Sequence, residues 1–359
     1  MKKIRKNSTF PLVSIIIPVY NAAEFIERAV ISVMKTDYPN FEIVLVDDMS
    51  TDKSWDILKK IVIKNNNIRI ERNSKKLLAA GTRNVGCRMA KGEFIALLDH
   101  DVEVDKNWIN EAISIFKLNK SLGTVQGVVM DVVRRDIIQH AGIMINAYLG
   151  WVIAKGFGKK IKNYKPKEEE VFANATGLIF KKEVWKKIGG FDEDLAINLD
   201  DWDFNWRCWL YGYKQILAPK SITYHWSKKQ NVRDKWISRL PWEFHFAKVP
   251  WLFIKNYELV SVFKFLPIYL VASFIRGIFN LIFRFNPSPI LAYFGALFWT
   301  AVNFDKLIIK RHEVQKNRQL KDSYLLNKIM DKNFVTGYFI KHWLPVITLG
   351  KAMSTNTPK

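Results

Sequence analysis

Apolar runs of strand length alternate with helix-periodic segments through the first 120 residues. No other feature constrains the fold of this chain as strongly. Val13–Val19 (VSIIIPV), Phe41–Asp48 (FEIVLVDD), the shorter Ile68–Arg72 (IRIER) and Phe94–Asp101 (FIALLDHD) read as strands. The segments between them, 22–35, 50–64 and 78–92, carry helical spacing; Asn21 stands as a candidate cap for the first and Gly92 as a stop for the third. Strand–helix alternation at this spacing implies a parallel sheet covered by helices. Right-handed crossovers then set the carboxyl ends of the strands along one edge, where open α/β sheets bind ligands. Asp47, Asp48, Asp99 and Asp101 all fall at such ends, so two separate strands deliver acids to one crevice.

The pattern loosens after residue 121. Residues 123–133 and 137–145 are strand-like, and 155–170 form a polar loop or flap. A strand, a helix and a Gly189–Gly190 stop follow within 175–195. Residues 199–214 read as a helix that opens on acids, and 216–226 (ILAPKSITYHW) as a last strand. The basic start of the chain runs into an apolar stretch broken by Pro18. It reads as a first strand and not as a signal peptide.

Beyond residue 241 the character changes. Residues 251–285 are apolar and aromatic, with Lys255, Lys264, Arg276 and Arg284 spaced through them; 286–304 are uncharged but hold Pro287 and Pro289. A spanning helix wants about 20 apolar residues, and neither segment is clean. Residues 241–359 hold 16 Lys and Arg against 6 Asp and Glu. Apolar helices with interspersed cations suit a membrane interface; a buried helical domain or an oligomer contact is the alternative. The chain thus divides into 1–240 and 241–359.

The whole chain has a formal net charge of +22. That excess suits a polyanionic neighbour: nucleic acid, an anionic membrane face or a phosphorylated ligand. Zinc spacing, an aromatic RNA-binding signature and a basic recognition helix are all missing, and acids cluster where a nucleic-acid groove would lie. The two cysteines, Cys87 and Cys208, make no disulfide framework.

The chemistry concentrates in a few places. Asp99 and Asp101, one residue apart at the end of a buried strand, can hold a hard divalent cation that completes its shell with phosphate oxygens. Alone, Asp-x-Asp is weak; its placement strengthens it. Gly81 and Gly86 would let a phosphate approach the backbone, and Arg83 can pair with a diphosphate, unless it is only a solvated helix charge.

In order along the chain, VSIIIPVYN, VDDMSTDKS, AAGTRNVGCRMAKGEFIALLDHD, QHAGI, ATGLIFKKEVWKKIGGFDEDL and LDDWDFNWRCWLYGYK resemble the motifs of family 2 glycosyltransferases of the GT-A fold. The likeness is to the subgroup that builds surface polysaccharides, including rhamnosyltransferase-like members, and covers roughly residues 12–230. It implies an α/β, mostly parallel sheet flanked by helices, followed by a membrane-associating helical region. Pro18, Tyr20 and Asn21 would line a base pocket. Asp48 would accept a hydrogen bond from a pyrimidine, Arg83 would lie near the donor diphosphate, Asp99 would contact the donor, and Asp101 would bind Mn²⁺ or Mg²⁺. His225 is a second candidate metal ligand, with an interfacial role as its rival. On the acceptor side the resemblance implies Thr176, Gly177, Asp200 and Trp202, with Asp201 as the general base. Asp203 would cap the helix or support that base. His100 reads as a spacer whose ring points away, and His140 as structural. Trp202, Trp206 and Trp226 could stack on a sugar, though tryptophans are more often core.

The implied activity is inverting transfer of a sugar from a UDP- or dTDP-linked donor to a glycan or lipid-linked glycan acceptor. It would take place at the cytoplasmic face of a membrane, with the protein peripheral or monotopic and no nucleic acid involved. A catalytically silent binding subunit is the rival reading, and a basic nucleic-acid-binding protein a weaker one.

Overall fold

The computed structural model describes residues 10–63, 65–119, 121–226 and 236–332. The first half runs β1 (Val13–Val19), α1 (Ile26–Met34), β2 (Phe41–Asp47), α2 (Ser54–Ile63), β3 (Ile68–Arg72), α3 (Leu78–Met89), β4 (Phe94–Leu97), β5 (Val102–Val104), α4 (Trp108–Leu118) and β6 (Leu122–Asp131). It continues with β7 (Ile138–His140), β8 (Ile143–Ile145), β9 (Val152–Ala154), α5 (Ile161–Tyr164), β10 (Leu178–Lys181), α6 (Lys182–Lys187), α7 (Asp200–Leu210) and β11 (Lys214–His225). Six helices follow: α8 (Trp236–Ala247), α9 (Val249–Asn256), α10 (Leu259–Arg284), α11 (Ser288–Val302), α12 (Phe304–Lys316) and α13 (Asp322–Lys328).

The main sheet has the order β3-β2-β1-β4-β10-β6-β11-β5, with β7 also paired to β6. Strands β3, β2, β1 and β4 are parallel, as the alternation predicts. Beyond β4 the sheet is mixed: β10 returns antiparallel between β4 and β6, and β5 pairs antiparallel with β11. Short strands without an intervening crossover helix reverse direction easily, which is why the second half departs from the parallel pattern.

Both faces of β1, β2 and β4 are buried. Ile16, Val44, Ile95 and Leu97 belong to one core cluster; Ile15, Ile17, Ile43, Leu45 and Ala96 belong to the other. Such strands need β-branched residues throughout, and VSIIIPV supplies them. Gly86 on α3 is a packing glycine: a Cβ there would drive into Ile16, and one at Gly81 would lie 2.7 Å from Leu77 Cβ. The two glycines sit inside a helix and let it approach the sheet and its own preceding loop; they form no phosphate cradle.

The C-terminal helices are continuous with the core. Trp251, Phe253 and Tyr257 join the cluster that contains Trp206 and Phe204. Lys255 of α9, almost fully buried, makes ion pairs with Asp192 and with Asp203 of α7. Arg207 holds Asp203 from the other side, and Lys310 of α12 holds Asp192 and Asp194. Asp203 therefore faces this seam; it neither caps α7 nor supports a base. Its burial is opposed by Arg207 and Lys255, which together hold its carboxyl below the usual range.

Helix α10 is 26 residues long, and its apolar stretch has a mean hydropathy of 1.8 with only 22% of it buried. It is the only helix among the described residues long and apolar enough to cross a membrane. Arg276 lies within this helix, and its guanidinium pairs with Glu243 of α8 at 2.8 Å. Phe263, Phe283 and Phe285, with Phe298 of α11, leave more than two thirds of their surface exposed.

Candidate active site

The carboxyl ends of β1, β2 and β4 open into a cavity of about 870 Å³. Its walls also include α3, the first turn of α7, the end of β11 and helix α8. Of the predicted site residues, Pro18, Tyr20, Asp48, Arg83, Asp99, Asp101, Thr176, Asp200, Asp201, Trp202 and His225 line it.

On one side, Tyr20 is half exposed beneath the ammonium of Lys76, 2.9 Å from the ring centroid. Asp48 is buried at the end of β2, with Oδ1 accepting from Leu77 N–H at 2.7 Å and Asn73 Nδ2 at 2.9 Å, and Oδ2 from Leu78 N–H at 2.9 Å. Its carboxylate thereby ties down the loop leading into α3. Asn21 has φ +47° and accepts from Thr51 N–H at 2.8 Å. It bridges two loops outside the cavity, and α1 starts five residues later, so Asn21 is no helix cap.

Arg83 is buried at the centre of the site. One nitrogen donates to Asp200 at 2.5 Å and another to Asp99 at 3.1 Å. The guanidinium is neither solvated nor free; it clamps two carboxylates from opposite walls. Thr176 donates its hydroxyl to Asp99 Oδ2 at 2.5 Å. Burial works against the charge on Asp99, but Arg83 and Thr176 hold its carboxyl below the usual range. Gly177, outside the cavity lining, has φ +72°, and a Cβ on it would sit 3.0 Å from Thr223 Oγ1. That left-handed turn delivers Thr176 to Asp99.

Asp200 and Asp201 open α7, where the helix N-terminus favours negative charge. Asp201 accepts from Ala175 N–H and Trp202 N–H, both at 3.0 Å. Burial, and then the neighbouring Asp200, push its pKa up to about 7. Burial raises Asp200 too, against the pull of Arg83. Asp201 is thus a carboxyl poised to exchange a proton near neutral pH, which suits a general base. Trp202 packs its ring against Phe246 of α8. Trp206 is core, and Trp226 packs on Phe25 outside the cavity.

Asp101 lies in the turn after β4 and His225 ends β11; His225 Nε2 is 3.5 Å from Asp101 Oδ1. His225 Nδ1 is 2.8 Å from Gln139 Oε1. An amide oxygen only accepts, so Nδ1 carries a proton, and in the neutral ring Nε2 presents its lone pair to Asp101. A lone pair facing a carboxylate oxygen repels it unless a cation lies between. The donor set, one carboxylate oxygen and one imidazole, suits Mn²⁺ or Mg²⁺ completed by phosphate oxygens. Among the described residues no cluster of three or more such ligands occurs.

Sequence reasoning missed several walls of the site. His100 lines the cavity instead of pointing away, and so does His140. Burial, and then His225, lower the His140 pKa to about 4, so its ring is neutral. Gln139, Lys76, His245 and Phe246 also line the cavity. The last two lie beyond the motif-bearing region, and nothing in their local sequence marks them.

A family model described as "Glycosyl transferase family 2" matches residues 14–189. Glycosyltransferase AglE of Haloferax volcanii is 30% identical over 228 residues, 61% of this chain and 68% of its own length. The chain belongs to glycosyltransferase family 2. The UDP-Glc:alpha-D-GlcNAc-diphosphoundecaprenol beta-1,3-glucosyltransferase WfaP of Escherichia coli is 43% identical over 103 residues, 29% of this chain and 39% of WfaP. Three bacterial relatives, WfaP among them, are covered over only 33%, 36% and 39% of their length. Among solved structures, GalNAc-T7 with UDP, GalNAc and Mn²⁺ superposes with a TM-score of 0.54 at 18% identity, covering 78% of this chain and 59% of that one. At that identity the likeness establishes the fold, a GT-A transferase fold. This family 2 chain brings Asp48, Asp99, Asp101, Asp200 and Asp201 together in one cavity.

Proposed function

We propose that this family 2 protein is an inverting, metal-dependent glycosyltransferase. It moves a sugar from a UDP- or dTDP-linked donor to a lipid-linked glycan during surface-polysaccharide assembly. The observation that carries the reading is that Asp201, with its pKa raised to about 7, shares one cavity with the Arg83–Asp99 pair and the Asp101–His225 pair. The relationship to WfaP, whose acceptor is a diphosphoundecaprenol-linked sugar, supports the acceptor class.

In this reading the acceptor hydroxyl lies beside Asp201. As its oxygen bonds to the anomeric carbon, its proton passes to the Asp201 carboxylate and the bond to the nucleoside diphosphate breaks. Asp99, fixed by Arg83 and Thr176, orients the donor, and Arg83 pairs with Asp200 beside the base. Asp101 and His225 would hold Mn²⁺ or Mg²⁺, which when bound supplies positive charge against the departing diphosphate. Pro241, His245 and Phe246 of α8 wall one side of the cavity.

The exposed apolar faces of α10 and α11, with Lys264 and Arg284 among them, support seating on a membrane surface. Helix α8 packs against α11 and also lines the cavity through Pro241, His245 and Phe246. One helix therefore separates the active site from the apolar surface, which favours an acceptor presented by a bilayer.

The test is calorimetric titration of the full-length protein with UDP, dTDP and GDP, with and without Mn²⁺, alongside Asp101→Asn. Metal-dependent binding of one nucleotide, weakened by the substitution, supports the reading. Folded protein that binds none of them refutes it and favours a silent subunit.

A further inference from the structure

Resting on the proposed metal site, we infer that Gln139 is a positioning residue that sets which nitrogen of His225 faces the metal. The side-chain amide of Gln139, on β7, clasps residue 225 at two points. Its Nε2 donates to the His225 backbone carbonyl at 2.8 Å, and its Oε1 meets the His225 ring Nδ1 at 2.8 Å. The first bond fixes the second. A backbone carbonyl only accepts, so the NH₂ end of the amide must point to it, and the oxygen end is left for the ring. That oxygen demands an N–H, which in the neutral ring places the proton on Nδ1 and the lone pair on Nε2.

The consequence falls on the other ring nitrogen. Nε2 lies 3.5 Å from Asp101 Oδ1, and the backbone of Asp101 is held in place by the Trp226 N–H at 3.1 Å. With the opposite tautomer, Nε2–H would donate to Asp101 and close the pair with no cation. Gln139 removes that option for the neutral ring. Metal-binding histidines commonly donate their second nitrogen to an oxygen acceptor, and loss of that acceptor typically weakens metal affinity 10–100-fold. Here the acceptor comes from the QHAGI segment, one residue before His140. β7 reaches β11 only through their common neighbour β6, so pairing across the sheet brings residues 86 positions apart into contact.

The experiment uses full-length protein saturated with UDP and titrated with MnCl₂, with free Mn²⁺ read by electron paramagnetic resonance. Gln139→Met, similar in size but unable to accept, is expected to weaken Mn²⁺ binding about 10–100-fold. Gln139→Glu still accepts from Nδ1–H and is expected to retain most of the affinity. In a His225→Ala background Gln139→Met is expected to add nothing, because its effect runs through that ring. Wild-type Mn²⁺ affinity in folded Gln139→Met, or an additive effect in the double variant, overturns the inference.

A measurement on the unsubstituted, metal-free protein guards against a variant that fails to fold. The ¹⁵N shifts of the His225 ring should report a protonated Nδ1 and an unprotonated Nε2; the reverse overturns the inference. If the wild type takes up no Mn²⁺ with UDP bound, the metal reading itself falls. If the wild type binds and His225→Ala binds equally well, the inference falls while the transferase reading stands on Asp101.

Discussion

Replacing Asp201 with Asn should make the protein less active and, above neutral pH, more stable. Its pKa of about 7, against 3.8 for an ordinary aspartate, means that the folded state resists ionisation. The stability this contributes is fully present below pH 3.8 and is lost as pH rises toward 7. At about 1.4 kcal/mol per pKa unit, the loss at pH 8 is on the order of 4 kcal/mol. Asn removes that loss but brings an NH₂ group to a position where both carboxylate oxygens now accept backbone N–H bonds. One donor left unpaired costs about 1–3 kcal/mol. The net gain at pH 8 is therefore about 1–3 kcal/mol. At pH 5 the titration contribution is much smaller, and the variant should be no more stable than wild type. Scanning calorimetry from pH 5 to 8.5 reads this without any substrate. In parallel, turnover of the donor that binds should fall about 10²–10⁴-fold, and wild-type turnover should rise with pH through about 7 and then level. Undiminished turnover would remove Asp201 as the base. A stability difference that does not change with pH would show that its carboxyl is not held neutral by the fold.

Lys255→Met should destabilise the protein by about 3 kcal/mol, the lower end for breaking a buried pair, because Arg207 and Lys310 still neutralise Asp203 and Asp192; urea unfolding measures it. Gly86→Ala, normally worth up to about 1 kcal/mol of helix stability, should instead cost about 1–3 kcal/mol through overpacking against Ile16, read by the same assay. Phe263→Ser, Phe283→Ser and Phe298→Ser together should reduce flotation of the full chain with anionic vesicles and leave nucleotide binding intact. Unchanged flotation would assign that apolar surface to another partner.

The sequence alone determined the parallel half of the sheet and the acids at its edge. Both are local: β-branched runs form doubly buried strands, and a residue following a strand lies at that strand's end whatever packs elsewhere. The order of motifs likewise pointed to Asp99, Asp101 and Asp201. Other roles depended on groups distant in sequence. Arg83 reads as a cation open to a diphosphate until Asp200, 117 residues away, closes on it. Asp203 sits two residues from the candidate base yet faces Lys255 and Arg207, because a helix turns about 100° per residue and sends Asp201 and Asp203 to different sides. Glycines 81 and 86 look like a ligand loop and serve helix packing. Gln139 has no local signature, since its role exists only where β7 and β11 meet the same neighbour. Strand ends are fixed by periodicity within a few residues. Pairing, proton placement and the raised pKa of Asp201 are decided by burial and by partners that only the folded chain brings within hydrogen-bonding distance.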